Sequence, residues 1–172
     1  MKRLVALFAA LALALTGCAA GDPAKTFSSD DTMFAGMMIV HHKQAVEMST
    51  LAETRTENPV IKHFASHIKA AQAPEITLMQ GWLDTAGSDG HWMHYGMPGL
   101  LSDDQMNDLR IASGSEFDVL FLQGMIAHHE GAVSMAEAVK DSANPEVRKL
   151  AASIIKSQTA EIADMKSALE NL

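Results

Sequence analysis

Residues 34–48, FAGMMIVHHKQAVEM, are repeated as residues 121–135, FLQGMIAHHEGAVSM, at a constant offset of 87 positions. A second block follows at an offset of 86, in which Asn58-Pro59 corresponds to Asn144-Pro145. Similarity over about 50 residues predicts a duplicated unit, and a period this long differs from the shorter repeats of solenoid proteins.

Each copy has the spacing of a packed helix. Apolar and histidine positions recur every three or four residues in the first copy, at Phe34, Met38, His41, Ala45, Met48 and Ala52. Asp30 or Asp31 is expected to cap the start of this helix. A second helix is predicted to begin at Asn58-Pro59, to kink at Pro74 and to end near Ala86-Gly87.

Two such hairpins predict an all-α four-helix bundle, occupying residues 30–172, with repeat halves at about 31–86 and 115–171. The connector between the halves is rich in Gly, His and Met. Within it, residues 102–105 form a capping-box pattern that predicts a short helix ending near Ile111. Ser115 is expected to cap the third long helix.

The N-terminus has the pattern of a secretory signal peptide, residues 1–17, with two basic residues followed by twelve apolar ones from Leu4 to Leu15. That run is too short to span a bilayer as a mature helix. Leu15-Thr16-Gly17-Cys18 resembles a bacterial lipobox, which implies lipidation of Cys18 and a tether over residues 18–29. The alternative is an ordinary signal peptide. The lipobox interpretation predicts an extracytoplasmic domain, periplasmic or at the cell surface, anchored to the membrane by lipid.

The composition excludes several classes of function. A formal net charge of −8 and a pI of about 5.4 argue against nucleic acid as a partner. One Cys excludes an intrachain disulfide and any multi-Cys zinc or iron–sulfur site. In contrast, 12 Met and 8 His are many for a chain with only 6 Phe, 2 Trp and 1 Tyr.

Methionine and histidine share helix faces in both copies. Met38 lies four residues before His42, and Met125 lies four residues before His129. Thioether and imidazole together suit Cu(I), and imidazole also binds Cu(II), whereas structural zinc sites prefer thiolates. The candidate copper ligands on the helices are Met37, Met38, His41, His42, Met48, Met125, His128, His129 and Met135.

Packing is the competing interpretation of these residues, because Met commonly fills helical cores and a His on an apolar face is often a hydrogen-bonded core residue. Burying several imidazoles, however, requires hydrogen-bond partners. Glu75 and Glu161 are candidates for that role, or else are polar positions near the bundle end.

The connector adds His91, Met93, His94 and Met97 as candidate ligands, in a loop that would capture copper. The alternative is a loop that covers the bundle end, with Trp92 and Met97 as plugs.

His63 and His67 also lie four apart and could chelate a metal. Their counterparts are Lys149 and Ser153, however, so a solvent-facing helix surface is the favoured interpretation.

From about Asp30 to Leu169 the chain resembles the bacterial family called domain of unknown function 305. The resemblance is carried by Met38–His42, by Met97-Pro98-Gly99 and by Phe117–Met135. It implies a ferritin-like four-helix fold and extracytoplasmic copper handling, since some members are implicated in copper binding and resistance. Gly124 stands where many members have a second Met, which argues against a fully symmetric site.

These observations predict a non-enzymatic copper-binding lipoprotein that sequesters Cu(I) or exchanges it with a donor or acceptor protein, and they leave its oligomeric state open. One alternative is a ferritin-like di-iron oxidase, which would need Glu-x-x-His motifs that the sequence lacks. The other is a structural or partner-binding bundle without a metal.

Overall fold

The structure, a computed structural model, describes residues 26–89 and 96–172. Those residues contain no strand and form five helices: α1 (Ser29–Arg55), α2 (Pro59–Ala86), α3 (Asp103–Ile111), α4 (Gly114–Glu137) and α5 (Pro145–Glu170). The predicted all-α class is therefore confirmed. The predicted signal peptide and Cys18 lie outside the described residues, as do His91, Met93 and His94 of the connector. Within the described ranges, no helix has the length and apolar character needed to cross a membrane.

The bundle consists of two hairpins, α1/α2 and α4/α5, which pack together through α1 and α4. Equivalent aspartates join them. Asp31 of α1 accepts a 2.6 Å hydrogen bond from Ser142 Oγ in the α4–α5 turn. Its counterpart Asp118 of α4 accepts a 3.1 Å bond from Asn58 Nδ2 in the α1–α2 turn. The first helix of each hairpin thus secures the turn of the other, as expected for a pseudo-twofold arrangement.

Most helix ends follow the predicted local signals. Asn58 and Asn144 cap α2 and α5 through their side chains, and Gly87 ends α2 in the left-handed conformation, with φ of 64°. Ser102 and Gln105 form the predicted capping box of α3. Helix α2 continues through Pro74, and the kink expected there stays a prediction.

Two predicted caps are wrong. Ser28 caps α1, and Asp31 completes the capping box by accepting a bond from the Ser28 backbone N–H, because a carboxylate at the third helical position reaches back to the cap. Helix α4 begins at Gly114 after Ser113, so Ser115 lies inside the helix. Helix α1 also starts at Ser29, one residue before the expected domain start, and Phe27 packs on Trp82 with ring centroids 5.7 Å apart.

Two apolar clusters form the core, with a polar layer between them. One cluster includes Phe34 and Met38 of α1 and Ala132 of α4. The other includes Met48 of α1 and Met125 of α4. On both helices the His-His pair falls between the residues of the two clusters. The four histidines therefore form a layer across the middle of the bundle.

Candidate metal centre

The histidine layer consists of His41 and His42 from α1 and His128 and His129 from α4, and each is 0% exposed. The helical spacing predicted this for His41 and His128. His42 and His129, expected beside the packed seam, are buried just as completely. The His41 and His128 rings lie against each other, with centroids 3.7 Å apart and an interplanar angle of 38°.

The two stacked imidazoles bond to backbone carbonyls. His41 Nε2 lies 3.1 Å from the carbonyl oxygen of Pro98 in the connector. His128 Nε2 lies 3.0 Å from the carbonyl oxygen of His41. A carbonyl oxygen can only accept, so Nε2–H is the donor in both rings. In a neutral ring, Nδ1 then carries the free lone pair.

The other two imidazoles bond to carboxylates. His42 Nε2 lies 2.8 Å from Glu75 Oε2 on α2, and His129 Nε2 lies 2.8 Å from Glu161 Oε2 on α5. The glutamate side chains are about one-fifth to one-quarter exposed, at 20% and 24%. Of the two roles considered for these glutamates, histidine partner is the one observed. A carboxylate bonded to one ring nitrogen is the usual way in which proteins orient an imidazole that binds metal through the other nitrogen.

The remaining nitrogen of every ring in the layer is unpartnered. The Nδ1 atoms of His41, His42, His128 and His129 are buried and have no hydrogen-bond partner among the described residues. Buried polar atoms without partners are uncommon and cost roughly 1–3 kcal/mol each. Four at equivalent positions of a duplicated motif indicate a role other than packing.

The stacked imidazoles are kept neutral by their surroundings. The pKa of His41 is lowered from 6.5 to about 3, mainly by burial; the Pro98 hydrogen bond opposes this effect, and the neighbouring His42 and His129 add to it. Burial, followed by the proximity of the other three histidines, also places the pKa of His128 well below its usual value. Neutral imidazole is the form that binds metals, so protons do not compete at these two rings near pH 7.

The helical methionines separate into two environments. Met38, Met48 and Met125 are fully buried. Met38 and Met125 stand one helical turn before His42 and His129, which places thioether and imidazole on one face in each copy. The other two candidates, Met37 and Met135, are only partly buried and line a surface groove between α1 and α4.

The described part of the connector packs over the bundle. Met97 is 6% exposed, as expected for a plug. Leu101 exchanges two hydrogen bonds with the Gln44 side chain, at 2.8 and 2.9 Å. At Gly131, the counterpart of Gln44, an added Cβ would lie 1.9 Å from the Pro98 oxygen. Gly131 therefore allows the connector backbone to reach His41. This contact was not predicted from the sequence, although a helical Gly at the position corresponding to Gln44 is a signal of close backbone approach.

The described residues do not bring imidazoles and carboxylates alone together as a ready-made metal site. Within residues 26–89 and 96–172, no three His, Cys, Asp or Glu side chains are placed to hold one ion. The di-iron alternative would need His and Glu ligands of this kind. His63 and His67 are exposed on α2 with ring centroids 4.7 Å apart, as the surface interpretation predicted.

Comparison with known proteins identifies the family. The sequence profile of the domain of unknown function DUF305 matches residues 31–169. The chain belongs to this family. A DUF305 crystal structure from Streptomyces coelicolor is 35% identical, with a TM-score of 0.79, covering 83% of this chain and 93% of its own. A DUF305 fragment from Deinococcus radiodurans is 28% identical, with a TM-score of 0.79 and coverages of 84% and 98%.

CopM in its Cu(I)-bound form is also similar to this DUF305 chain, at 35% identity and a TM-score of 0.69, covering 85% of this chain and 98% of CopM. CopM has also been solved in Cu(II)-bound, silver-bound and apo forms. No curated protein matches the chain.

The two DUF305 half-motifs differ at one position that changes the surface. Met37 of α1 corresponds to Gly124 of α4. A Cβ at Gly124 would lie 3.0 Å from Leu101 Cδ2 and 3.2 Å from Met48 Cε. The missing side chain therefore makes room for the connector. The two halves differ here because the connector packs against Gly124. An asymmetric metal site stays a prediction.

Proposed function

We propose that this DUF305 protein binds copper outside the cytoplasm and sequesters Cu(I) or passes it on, without catalysing a reaction. The observation that carries the proposal is the histidine layer. Four buried imidazoles are each held through Nε2, while their Nδ1 atoms have no partner in the part of the chain that the structure describes.

The donor set selects the metal. Met38 and Met125 supply buried thioethers beside the imidazoles, and a thioether–imidazole set favours Cu(I) over harder or thiolate-preferring metals. Cu(II) can be held by the imidazoles. CopM, a relative at 34–35% identity, has Cu(I)- and Cu(II)-bound forms, which supports copper as the metal.

The duplication gives two corresponding sites, although the described part of the connector bonds to only one of the stacked histidines between them. In the first, His42 Nδ1 and the Met38 thioether bind copper while Glu75 orients the ring. In the second, His129, Met125 and Glu161 take the same roles. His41 and His128 lie between the two sites and offer further neutral nitrogen donors.

The location of the protein is proposed from its N-terminal sequence. Cleavage before Cys18 and lipidation of its thiol would anchor the bundle at the bacterial cell membrane. From there it would exchange copper with a donor or acceptor protein.

A Cu(I) competition titration tests the proposal. The mature chain, in detergent and without oxygen, competes with a chromogenic Cu(I) chelator alongside His42→Ala/His129→Ala and the surface control His63→Ala/His67→Ala. Loss of affinity by 10-fold or more in the layer variant, with the control unchanged, is expected. Unchanged affinity in the layer variant would overturn the proposed ligands.

The second candidate is a bundle whose histidine layer is purely structural and which recognises a partner without metal. The complete burial of all four rings favours it. It predicts that copper does not change the melting temperature, whereas a ligand that binds the native state must raise it.

A further inference from the structure

An open groove of about 310 Å³ lies between α1 and the end of α4, outside the histidine layer. Its lining is mainly apolar and includes three methionine thioethers. The lining residues are Asp30, Met33, Phe34, Met37, Met135, Ala138 and Val139. Met33 is the most accessible of the three thioethers, with 42% of the residue exposed. Met37 and Met135 are candidate ligands from the repeated sequence motif, and Met33 lies one residue before that motif.

The duplication supplies an internal comparison for this groove. The equivalent position on the other side of the bundle has Leu120, Gly124 and Met48 where the groove has Met33, Met37 and Met135. There the connector and α3 form the wall of a smaller pocket of about 230 Å³, and Leu101 packs towards Gly124. Where the connector and α3 flank the surface, one sulfur remains. In the groove between α1 and α4, there are three.

Packing alone does not explain the three thioethers. Leu120 shows that a leucine serves at the position equivalent to Met33 when only apolar contact is needed. Met33 and Met37 lie four residues apart on α1 and therefore share a face, with Met135 on the α4 side of the same groove. Several thioethers without thiolates form a ligand set for soft monovalent cations. Asp30 at the groove supplies a negative charge for such a cation.

We infer that this groove is a second, solvent-accessible site for a soft monovalent cation, Cu(I) or Ag(I), held by the sulfur atoms of Met33, Met37 and Met135. The choice of Cu(I) as natural cargo rests on the proposed function, while the ligand chemistry stands on the groove itself. The site is distinct from the buried histidine layer because its three methionines are exposed or only partly buried and line a surface groove.

Methionine oxidation, read residue by residue, tests the site. The mature chain is treated with hydrogen peroxide with and without Ag(I), which needs no reductant, and sulfoxide is quantified at each Met by mass spectrometry. Exposed thioethers oxidise readily, and ligation withdraws the sulfur lone pair. We expect Ag(I) to slow oxidation of Met33, Met37 and Met135 at least fivefold. Unchanged oxidation of these three residues in saturating Ag(I) would overturn the inference.

Counting bound Ag(I) separates the two sites. Met33→Leu/Met37→Leu/Met135→Leu is expected to bind one equivalent fewer than the wild type, whereas the buried control Met79→Leu/Met165→Leu keeps the full number. Exchanges of Met for Leu nearly conserve side-chain volume, so the variants are expected to fold. If the triple variant folds poorly, the single variant Met33→Leu, which changes only an exposed side chain, takes its place. An undiminished count in the triple variant would contradict the inference.

The His42→Ala/His129→Ala variant keeps failures of the two proposals distinguishable. Protection of the three groove methionines by Ag(I) in that variant supports the groove site even if copper binding at the layer is disproved. Conversely, layer-dependent Cu(I) binding without groove protection would retain the proposed function and reject the second site.

Discussion

His128 donates a hydrogen bond of 3.0 Å from Nε2 to the carbonyl oxygen of His41, and the two rings lie 3.7 Å apart. A side chain of the second copy of the motif, on α4, is therefore bonded to the backbone of the first copy, on α1. The relationship is not reciprocated, because His41 Nε2 bonds to Pro98 of the connector instead. The connector therefore makes the two halves of the duplication inequivalent at the centre of the bundle.

Acid should destabilise the apoprotein through the stacked histidines. Unfolded His titrates near 6.5, whereas burial holds the pKa of His41 near 3 and that of His128 well below its usual value. Below about pH 6.5 the unfolded chain binds more protons, so stability is greatest above that pH and is lost as the pH falls towards 3. The loss approaches roughly 1.4 kcal/mol per pH unit for each histidine.

Urea unfolding of the metal-free protein at pH 7.5, 6.5, 5.5 and 4.5 measures this loss. His63→Gln/His67→Gln, which alters exposed rings, should keep the wild-type slope. A free energy of unfolding that is equal at pH 7.5 and 5.5 would contradict the buried neutral imidazoles.

Removing the carboxylates that orient the outer imidazoles should weaken copper binding. Glu75→Gln/Glu161→Gln keeps shape but replaces the charged partner of His42 and His129. Partners of this type are worth 10- to 100-fold in metal affinity. The control is Glu130→Gln, which removes only a surface ion pair with Lys166. Equal Cu(I) affinity in the double variant and the control would reject the orienting role.

Gly131→Ala should displace the connector from the histidine layer. The added methyl group would overlap the Pro98 oxygen that accepts the His41 bond, and overpacking of this kind costs about 1–3 kcal/mol. Gly81→Ala is the matched control, since a Cβ there meets nothing within 4 Å and alanine favours helix by up to about 1 kcal/mol. In denaturant unfolding, Gly131→Ala should have a lower free energy of unfolding than the wild type, and Gly81→Ala a higher one. A stable Gly131→Ala protein would contradict the close backbone approach.

Copper should raise the melting temperature because it binds the native state and not the unfolded chain. At a free Cu(I) concentration 100 times the dissociation constant, mass action adds about 2.7 kcal/mol to the stability. Anaerobic calorimetry with chelator-buffered Cu(I) follows the shift. His42→Ala/His129→Ala should lose most of it, and a full shift in that variant would place the metal elsewhere.

Local signals were sufficient for most of the fold. Asn58 and Asn144 start helices because the cap and the following proline act within three residues of the chain. The sequence duplication predicted which helices form each hairpin. The His41–Pro98 bond joins positions 57 residues apart, which periodicity does not reveal. Met33 could not be predicted as a ligand from the repeat, because its counterpart is Leu120 and it lies outside the repeated motif.

X-ray absorption at the copper edge tests the central claim most directly. The sample is the Met33→Leu/Met37→Leu/Met135→Leu protein loaded with one equivalent of Cu(I), so that groove sulfurs do not contribute. The histidine layer predicts a shell that contains both nitrogen from imidazole and sulfur from thioether. A shell of sulfur alone, or failure of this variant to retain copper, would contradict copper binding at the layer.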